Sequence, residues 1–165
     1  MTGTAVRLLA ATSIAVIGLV LAGCSTGGGQ PTAAPSSTAG PERGSDDIIA
    51  EDLEVGDCLN DANLSGIVAS VPVVPCSEPH DSETYAEFDL EDGPFPGKDA
   101  VNAQGDAGCV EAFTAFVGIA YNASKLDYSF YLPTETSWPQ GDRRILCEVY
   151  DPKKQTTGTL KGVAR

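Results

Sequence analysis

The pattern of apolar and polar positions divides the 165-residue chain into three stretches. Leu8 to Leu21 is an apolar run broken only by Ala, Thr, Ser and Gly, with Arg7 as the one charge ahead of it. A stretch poor in apolar side chains follows, and regular patterning begins near Glu51. From there a period of two dominates, which is the signature of strands. Val55-Gly56-Asp57-Cys58-Leu59 predicts a first short strand. Residues 66–74 are β-rich through Ile67, Val68, Val71, Val73 and Val74, and Pro72 argues for an edge position or a bulge. Residues 83–90 alternate, with Thr84, Ala86, Phe88 and Leu90 on one face and Glu83, Tyr85, Glu87 and Asp89 on the other. Gly93-Pro94-Phe95-Pro96-Gly97 breaks the chain into a loop. The period then changes to that of a helix: Cys109, Phe113, Phe116, Val117 and Ala120 form one stripe. Gly105 and Gly108 weaken the turns before it, so the helix is expected over about 106–121, capped by Asp99 or Asp106. Tyr128, Phe130 and Leu132 alternate with Ser129 and Tyr131, and Arg144 to Tyr150 places Ile145, Cys147 and Val149 on one side. The turn-rich segment 138–143 suits a hairpin between these two strands, and residues 156–162 predict a last short strand. The order β-β-β-α-β-β-β predicts an α+β domain: a small antiparallel sheet with one main helix packed on one face.

The apolar run near the N-terminus is shorter than the roughly 20 residues of a stable spanning helix. It closes on Leu21-Ala22-Gly23-Cys24, which matches the lipobox of bacterial lipoprotein precursors. Residues 1–23 therefore read as a lipoprotein signal peptide. The expected mature N-terminus is Cys24, carrying a diacylglyceryl group and palmitate-type acyl chains, enough for stable anchoring where a single chain is marginal. Residues 24–50 read as a flexible Gly/Ser/Thr/Pro tether, which lacks the apolar side chains whose burial would offset the entropy of ordering. Residues 51–165 are left as one domain. The expected location is the outer face of the plasma membrane, held by lipid.

The net charge of −13 disfavours binding to nucleic acid or to bare anionic lipid and favours a cationic partner. Of the five cysteines, removing Cys24 leaves Cys58, Cys76, Cys109 and Cys147, an even number that reads as two disulfides in an oxidising compartment. Three pairings are possible. Cys58–Cys76 with Cys109–Cys147 is favoured because each bond then links neighbouring predicted elements. No Cys-x-x-Cys redox motif is present, and neither thiolates nor a second histidine stand at zinc-ligand spacing. No cofactor or metal is expected. Asp89, Glu91 and Asp92 near Asp99 do not fit a calcium loop and read as a solvated turn.

A set of motifs then narrows the class. These are Gly56-Asp57-Cys58-Leu59, Val74-Pro75-Cys76-Ser77-Glu78-Pro79-His80-Asp81, Trp138-x-x-Gly141-Asp142-Arg143, Cys147, Tyr150-Asp151-Pro152 and Thr157-Gly158-Thr159-Leu160-Lys161-Gly162. In this order and spacing they resemble the septum-formation family of secreted and membrane-linked domains from high-GC Gram-positive bacteria, over most of 54–162. The resemblance implies an envelope protein of unassigned activity, with its four domain cysteines paired.

Two candidate sites stand out. His80 is the only histidine, and it lies beside Asp81 and close to Ser77. It reads as a residue that ties its loop down, as a recognition residue, or as a general base for a small envelope hydrolase. Adjacent residues rarely face each other, so His80 and Asp81 are no dyad by sequence alone. Trp138 with Asp142 and Arg143 forms the second candidate, an aromatic–arginine pair of the kind found at interface hot spots and across hairpins. The two loops are expected to share one end of the sheet. The reading that follows is a non-enzymatic envelope lipoprotein whose loops around His80 and Trp138 bind a cell-wall or cell-division protein. A hydrolase using His80 and a purely structural accessory subunit are the alternatives.

Overall fold

The computed structural model describes residues 46–165. The expected signal peptide, Cys24 and the expected tether up to Ser45 lie outside the described residues. Six strands form one antiparallel, curled sheet: β1 Asp46–Ile49, β2 Cys58–Leu59, β3 Ser70–Val74, β4 Ser82–Asp89, β5 Asp127–Tyr131 and β6 Arg144–Tyr150. Their order across the sheet is β1-β3-β2-β4-β6-β5. A single α-helix among the described residues, α1 Lys98–Val117, covers one face. The α+β architecture is the one expected, and β5 and β6 are the expected hairpin. No helix of the described residues is long and apolar enough to cross a membrane.

The sheet starts earlier than the pattern suggested. β1 pairs with β3 from Asp46↔Val73 to Ile49↔Ser70, so residues 46–49 belong to the sheet, not to the tether. Ile48 packs on the second apolar cluster, and that burial offsets the cost of ordering an edge strand. This also moves Pro72 off the edge. Its carbonyl accepts the Asn60 N–H at 2.9 Å, and its missing donor falls where the ladder to β2 has already ended.

The alternation read over 83–90 is broken once. The β4–β6 register shifts between Thr84 and Ala86. A bulge inserts one residue and reverses which face later residues occupy. Glu83, Ala86 and Phe88 therefore pair with Val149, Cys147 and Ile145 on the helix side, whereas Ser82, Thr84, Glu87 and Asp89 lie on the other face. Tyr85, at the bulge, also turns into the helix-side core and donates to the Cys109 carbonyl at 2.6 Å.

The helix begins eight residues before the expected start, because Gly105 and Gly108 are contact points and not weak points. A methyl group at Gly105 would lie 2.6 Å from Phe130 Cε2, and one at Gly108 would run into the Phe88 ring. The glycines let the helix backbone settle onto these rings. The helix stops at Val117, before Tyr121, because Gly118 takes a left-handed conformation and caps it with an N–H to the Thr114 carbonyl. Gly97, not Asp99 or Asp106, stands at its N-terminus. Asp106 instead accepts the Tyr128 hydroxyl.

The expected last strand is absent. Residues 156–165 run as an irregular segment tied to the sheet by a bridge between His80 and Thr156. The segment then donates Gly162 N–H and Ala164 N–H, each at 2.8 Å, to the Phe116 and Val117 carbonyls. These are carbonyls that the end of a helix leaves without a partner, so the segment serves as a second cap.

Two cores result. Between helix and sheet lie Tyr85, Val101, Cys109, Phe113, Val117, Cys147, Val149 and Leu160, among others. The curl of β1, β3 and β2 encloses a smaller cluster on the opposite face: Leu53, Leu59, Val71, Val73 and Leu146. The disulfides are the favoured pair, Cys58–Cys76 and Cys109–Cys147. The first ties β2 to the turn after β3, and the second bolts the helix to β6.

Candidate functional site

The two candidate loops sit at opposite ends of the sheet, contrary to expectation. His80 precedes β4 at the end where Ser82 pairs with Tyr150, whereas Arg143 precedes β6 at the end where Asp89 pairs with Arg144. A strand of that length puts them on the order of 20–25 Å apart. Each loop has a half-cystine a few residues away, but proximity along the chain does not tell which end of a strand a loop occupies.

His80 is fully buried. Its Nδ1 lies 2.9 Å from the Glu78 carbonyl, which can only accept, so Nδ1 carries the hydrogen. Its Nε2 is 3.1 Å from the Thr156 hydroxyl. Two backbone hydrogen bonds, at 3.0 and 2.9 Å, join the same two residues. Asp81 faces away from the imidazole: its oxygens accept the Ala62 N–H at 3.1 Å and the Gln155 amide at 3.0 Å. Ser77 is exposed on the turn. The ring is a rivet between the loop and the C-terminal segment.

Trp138 is 4% exposed. Its indole N–H donates to the Gly93 carbonyl at 2.7 Å, and its ring meets Phe95 edge-on. The Arg143 guanidinium lies 3.9 Å over the Trp138 ring and donates to the Trp138 and Asp142 carbonyls at 2.8 and 2.7 Å. Its Nε, 3.3 Å from exposed Asp92, lacks hydrogen-bond alignment with that carboxylate. Asp142 accepts the Ser137 hydroxyl at 2.6 Å and the Arg144 N–H at 3.2 Å. Trp138, Asp142 and Arg143 thus clamp the hairpin connection to the 93–95 loop. Asp89, Glu91 and Asp92 are exposed, as a solvated turn requires.

The polar chemistry concentrates at the His80 end, on the face away from the helix. A pocket of about 520 Å³ opens there, and Asp61, Asp81, Ser82, Ser129, Glu148 and Tyr150 contribute to its walls. Three adjacent strands supply the floor: the register aligns Ser129 and Thr84 with Glu148, and Ser82 with Tyr150. Glu148 is buried. Ser129 donates to its Oε1 at 2.5 Å, and Ser82 Oγ is 3.2 Å from its Oε2. The same Ser82 oxygen is 2.9 Å from Asp61 Oδ1, and Tyr131 donates to Asp61 Oδ2 at 2.8 Å. Burial, then the charge of Asp61 and a hydrogen bond with it, push the Glu148 carboxyl up to about 8, against the smaller opposing pull of Ser129 and Ser82. Burial, with the Glu148 and Asp61 charges, raises the Tyr131 phenol further, so it remains a donor.

A second buried carboxyl, Glu83, lies on the helix side. It accepts the Thr159 hydroxyl at 2.6 Å and the Leu160 N–H at 2.5 Å, and burial raises its affinity for a proton. It anchors the C-terminal segment. With Cys58 and Cys76 it forms the one grouping of possible metal ligands among the described residues. The two sulfurs are bonded to each other, so neither is a thiolate available to a metal.

Sequence reasoning reached the wall of this pocket only at Asp81. Asp61, Ser82, Ser129 and Tyr131 gave no local sign of a pocket, because the face they meet on is walled only by the connection after β2, with Asp61, Ala62 and Leu64, which is distant in sequence from β4, β5 and β6. The one usable signal was Glu148, a carboxylate amid the apolar strand Ile145–Tyr150.

Fold and site together define a small, disulfide-braced α+β domain with a polar pocket at one end of its sheet. The chain belongs to the septum-formation family, whose sequence profile matches residues 55–164. The match spans both disulfides, the helix and the pocket. No curated protein and no solved structure matches the chain.

Proposed function

We propose that the domain is the non-catalytic recognition module of a lipid-anchored envelope protein, and that it meets its cell-wall or cell-division partner at the pocket end of the sheet. The observation that carries this reading is the pocket itself, about 520 Å³, whose walls set the carboxyls of Asp61, Asp81, Glu148 and Asp151, hydroxyls and the Gln155 amide against the ammonium of Lys154. Such a lining suits a donor-rich or cationic group, and the net charge of −13 favours the same partner. Membership of the septum-formation family supplies the envelope and division context. The Leu21-Ala22-Gly23-Cys24 sequence supports the anchor on Cys24 and an extracytoplasmic location. The buried, doubly engaged ring of His80 argues for recognition over a His80-based hydrolase. The clamp around Trp138 moves the recognition face away from that loop.

Membranes from cells producing the full chain test this reading. The wild type should sediment with membranes and carry one reproducible cross-linked partner. Cys24→Ser should leave the membrane fraction. Gln155→Trp, which fills the pocket from an exposed position, should stay membrane-bound and lose the partner. A Gln155→Trp protein that keeps the full partner set would refute the pocket assignment, and membrane retention of Cys24→Ser would refute the anchor.

A further inference from the structure

We propose that Asp61 and Glu148 form a proton-binding site that holds one shared proton at neutral pH, and that this proton latches the chain after β2 to the sheet. Asp61 lies in the connection between β2 and β3, at residues 60–69, while its hydroxyl partners are on β4 and β5, and the Ser82 oxygen joins it to Glu148 on β6. Ala62 and Leu64 of the same connection help wall the pocket. The proton therefore sets the shape of the pocket as well as the hold on the loop.

Hydrogen counting supports the proton. Ser82, Ser129 and Tyr131 bring three hydroxyl hydrogens to four contacts with the two carboxyls, and the single Ser82 oxygen reaches both, at 2.9 Å from Asp61 Oδ1 and 3.2 Å from Glu148 Oε2. Three hydrogens leave one contact unserved. Two ionised carboxylates bridged by one hydroxyl would moreover repel. A proton on the pair, donated to the Ser82 oxygen by the carboxyl that holds it, serves the fourth contact and removes the repulsion. The network leaves no cheaper arrangement, because buried carboxylate oxygens in low dielectric are costly unless paired.

The other groups around Glu148 keep their state across the relevant pH range or lie at the mouth. β4 contributes uncharged Ser82 and Thr84. Tyr131 on β5 and Tyr150 on β6 have phenols raised by burial and by neighbouring carboxylates, so they stay neutral. Asp81, Asp151 and Lys154 stand around the opening. The proton affinity of Glu148 lies above that of an ordinary carboxyl, with its midpoint at about 8. The sign follows: stabilisation from the proton is complete below the ordinary carboxyl range and is lost as pH rises through about 8. The site is a property of the folded domain and stands whether or not a partner uses the pocket.

The test is amide exchange of residues 60–69 in the full chain, corrected for intrinsic rates, together with the carbon-13 carboxyl shift of Glu148, from about pH 6 to about pH 9.5. The carboxyl should titrate near 8, and protection of 60–69 should fall on the order of tenfold per pH unit up to the midpoint, where opening releases the proton, and level off above it, where the closed state has already lost the proton. Glu148→Gln supplies a permanent amide donor to Asp61 and should flatten the profile. Ser129→Ala removes a bond that favours the charged form, so it should move the midpoint upward and serves if the first variant does not fold. A Glu148 carboxyl that titrates below about 6, or protection of 60–69 that is flat with pH in the wild type, would overturn the proposal.

Discussion

Gly105→Ala separates helix propensity from packing, because the two predict opposite signs. In an exposed helix interior, replacing Gly by Ala stabilises by about 1 kcal/mol. At Gly105 the new methyl would lie 2.6 Å from Cε2 and 2.9 Å from Cδ2 of Phe130. Carbon atoms prefer about 3.5–4.0 Å, so the ring must retreat by about 1 Å. Phe130 pairs with Cys147 on β6, which is itself bolted to the helix through Cys109. The ring thus has little freedom to yield. Overpacking of this kind costs about 1–3 kcal/mol. After the propensity gain is subtracted, the variant should be about 0–2 kcal/mol less stable, with Tm lower by roughly 5 °C at the middle of that range. Urea unfolding of the disulfide-intact protein measures it, with Asn102→Ala as the exposed control on the same helix, expected to be neutral or slightly stabilising. Gly105→Ala with Phe130→Leu should recover part of the loss. A Gly105→Ala protein more stable than wild type would show that the helix does not rest on Phe130 as described.

Two further outcomes follow from the same packing. Replacing both Cys109 and Cys147 by alanine should cost about 4 kcal/mol on the chain-entropy model and removal of Cys58–Cys76 about 3 kcal/mol, from separations of 38 and 18 residues; urea midpoints should fall in that order, and the reverse order would contradict it. His80→Ala should destabilise by about 2–4 kcal/mol, since it leaves a cavity and strands the Glu78 carbonyl and the Thr156 hydroxyl. Below its own melting temperature it should keep the partner contacts of the wild type, and partner loss in the folded variant would return His80 to the recognition surface.

What the residues disclosed, and what they hid, has a physical pattern. Local signals were legible. The alternation of Ile145, Cys147 and Val149, the stripe of Cys109 and Phe113, and the turn chemistry around Trp138 each follow from neighbours a few positions away. Features set by distant contacts were not. Gly105 and Gly108 looked like helix breakers because Phe130 and Phe88, the rings that need them, lie far along the chain. The bulge at Tyr85 reversed the faces of β4 without any glycine or proline to mark it. Residues 156–162 have the composition of a strand, yet their hydrogen bonds go to Glu83 and to the end of the helix. The pocket was hidden for the same reason: Asp61 and Glu148 are far apart along the chain, and only the closure of β2 onto β4 brings them together.

Site-specific photo-cross-linking in living cells tests the central claim most directly. A photoreactive residue is placed at exposed Gln155, on the pocket rim, or at exposed Gln140, beside the Trp138 clamp. Recognition at the pocket predicts a discrete envelope-protein adduct from position 155 and none from position 140. An adduct from position 140 with none from position 155 would place recognition at the opposite end of the sheet and contradict it.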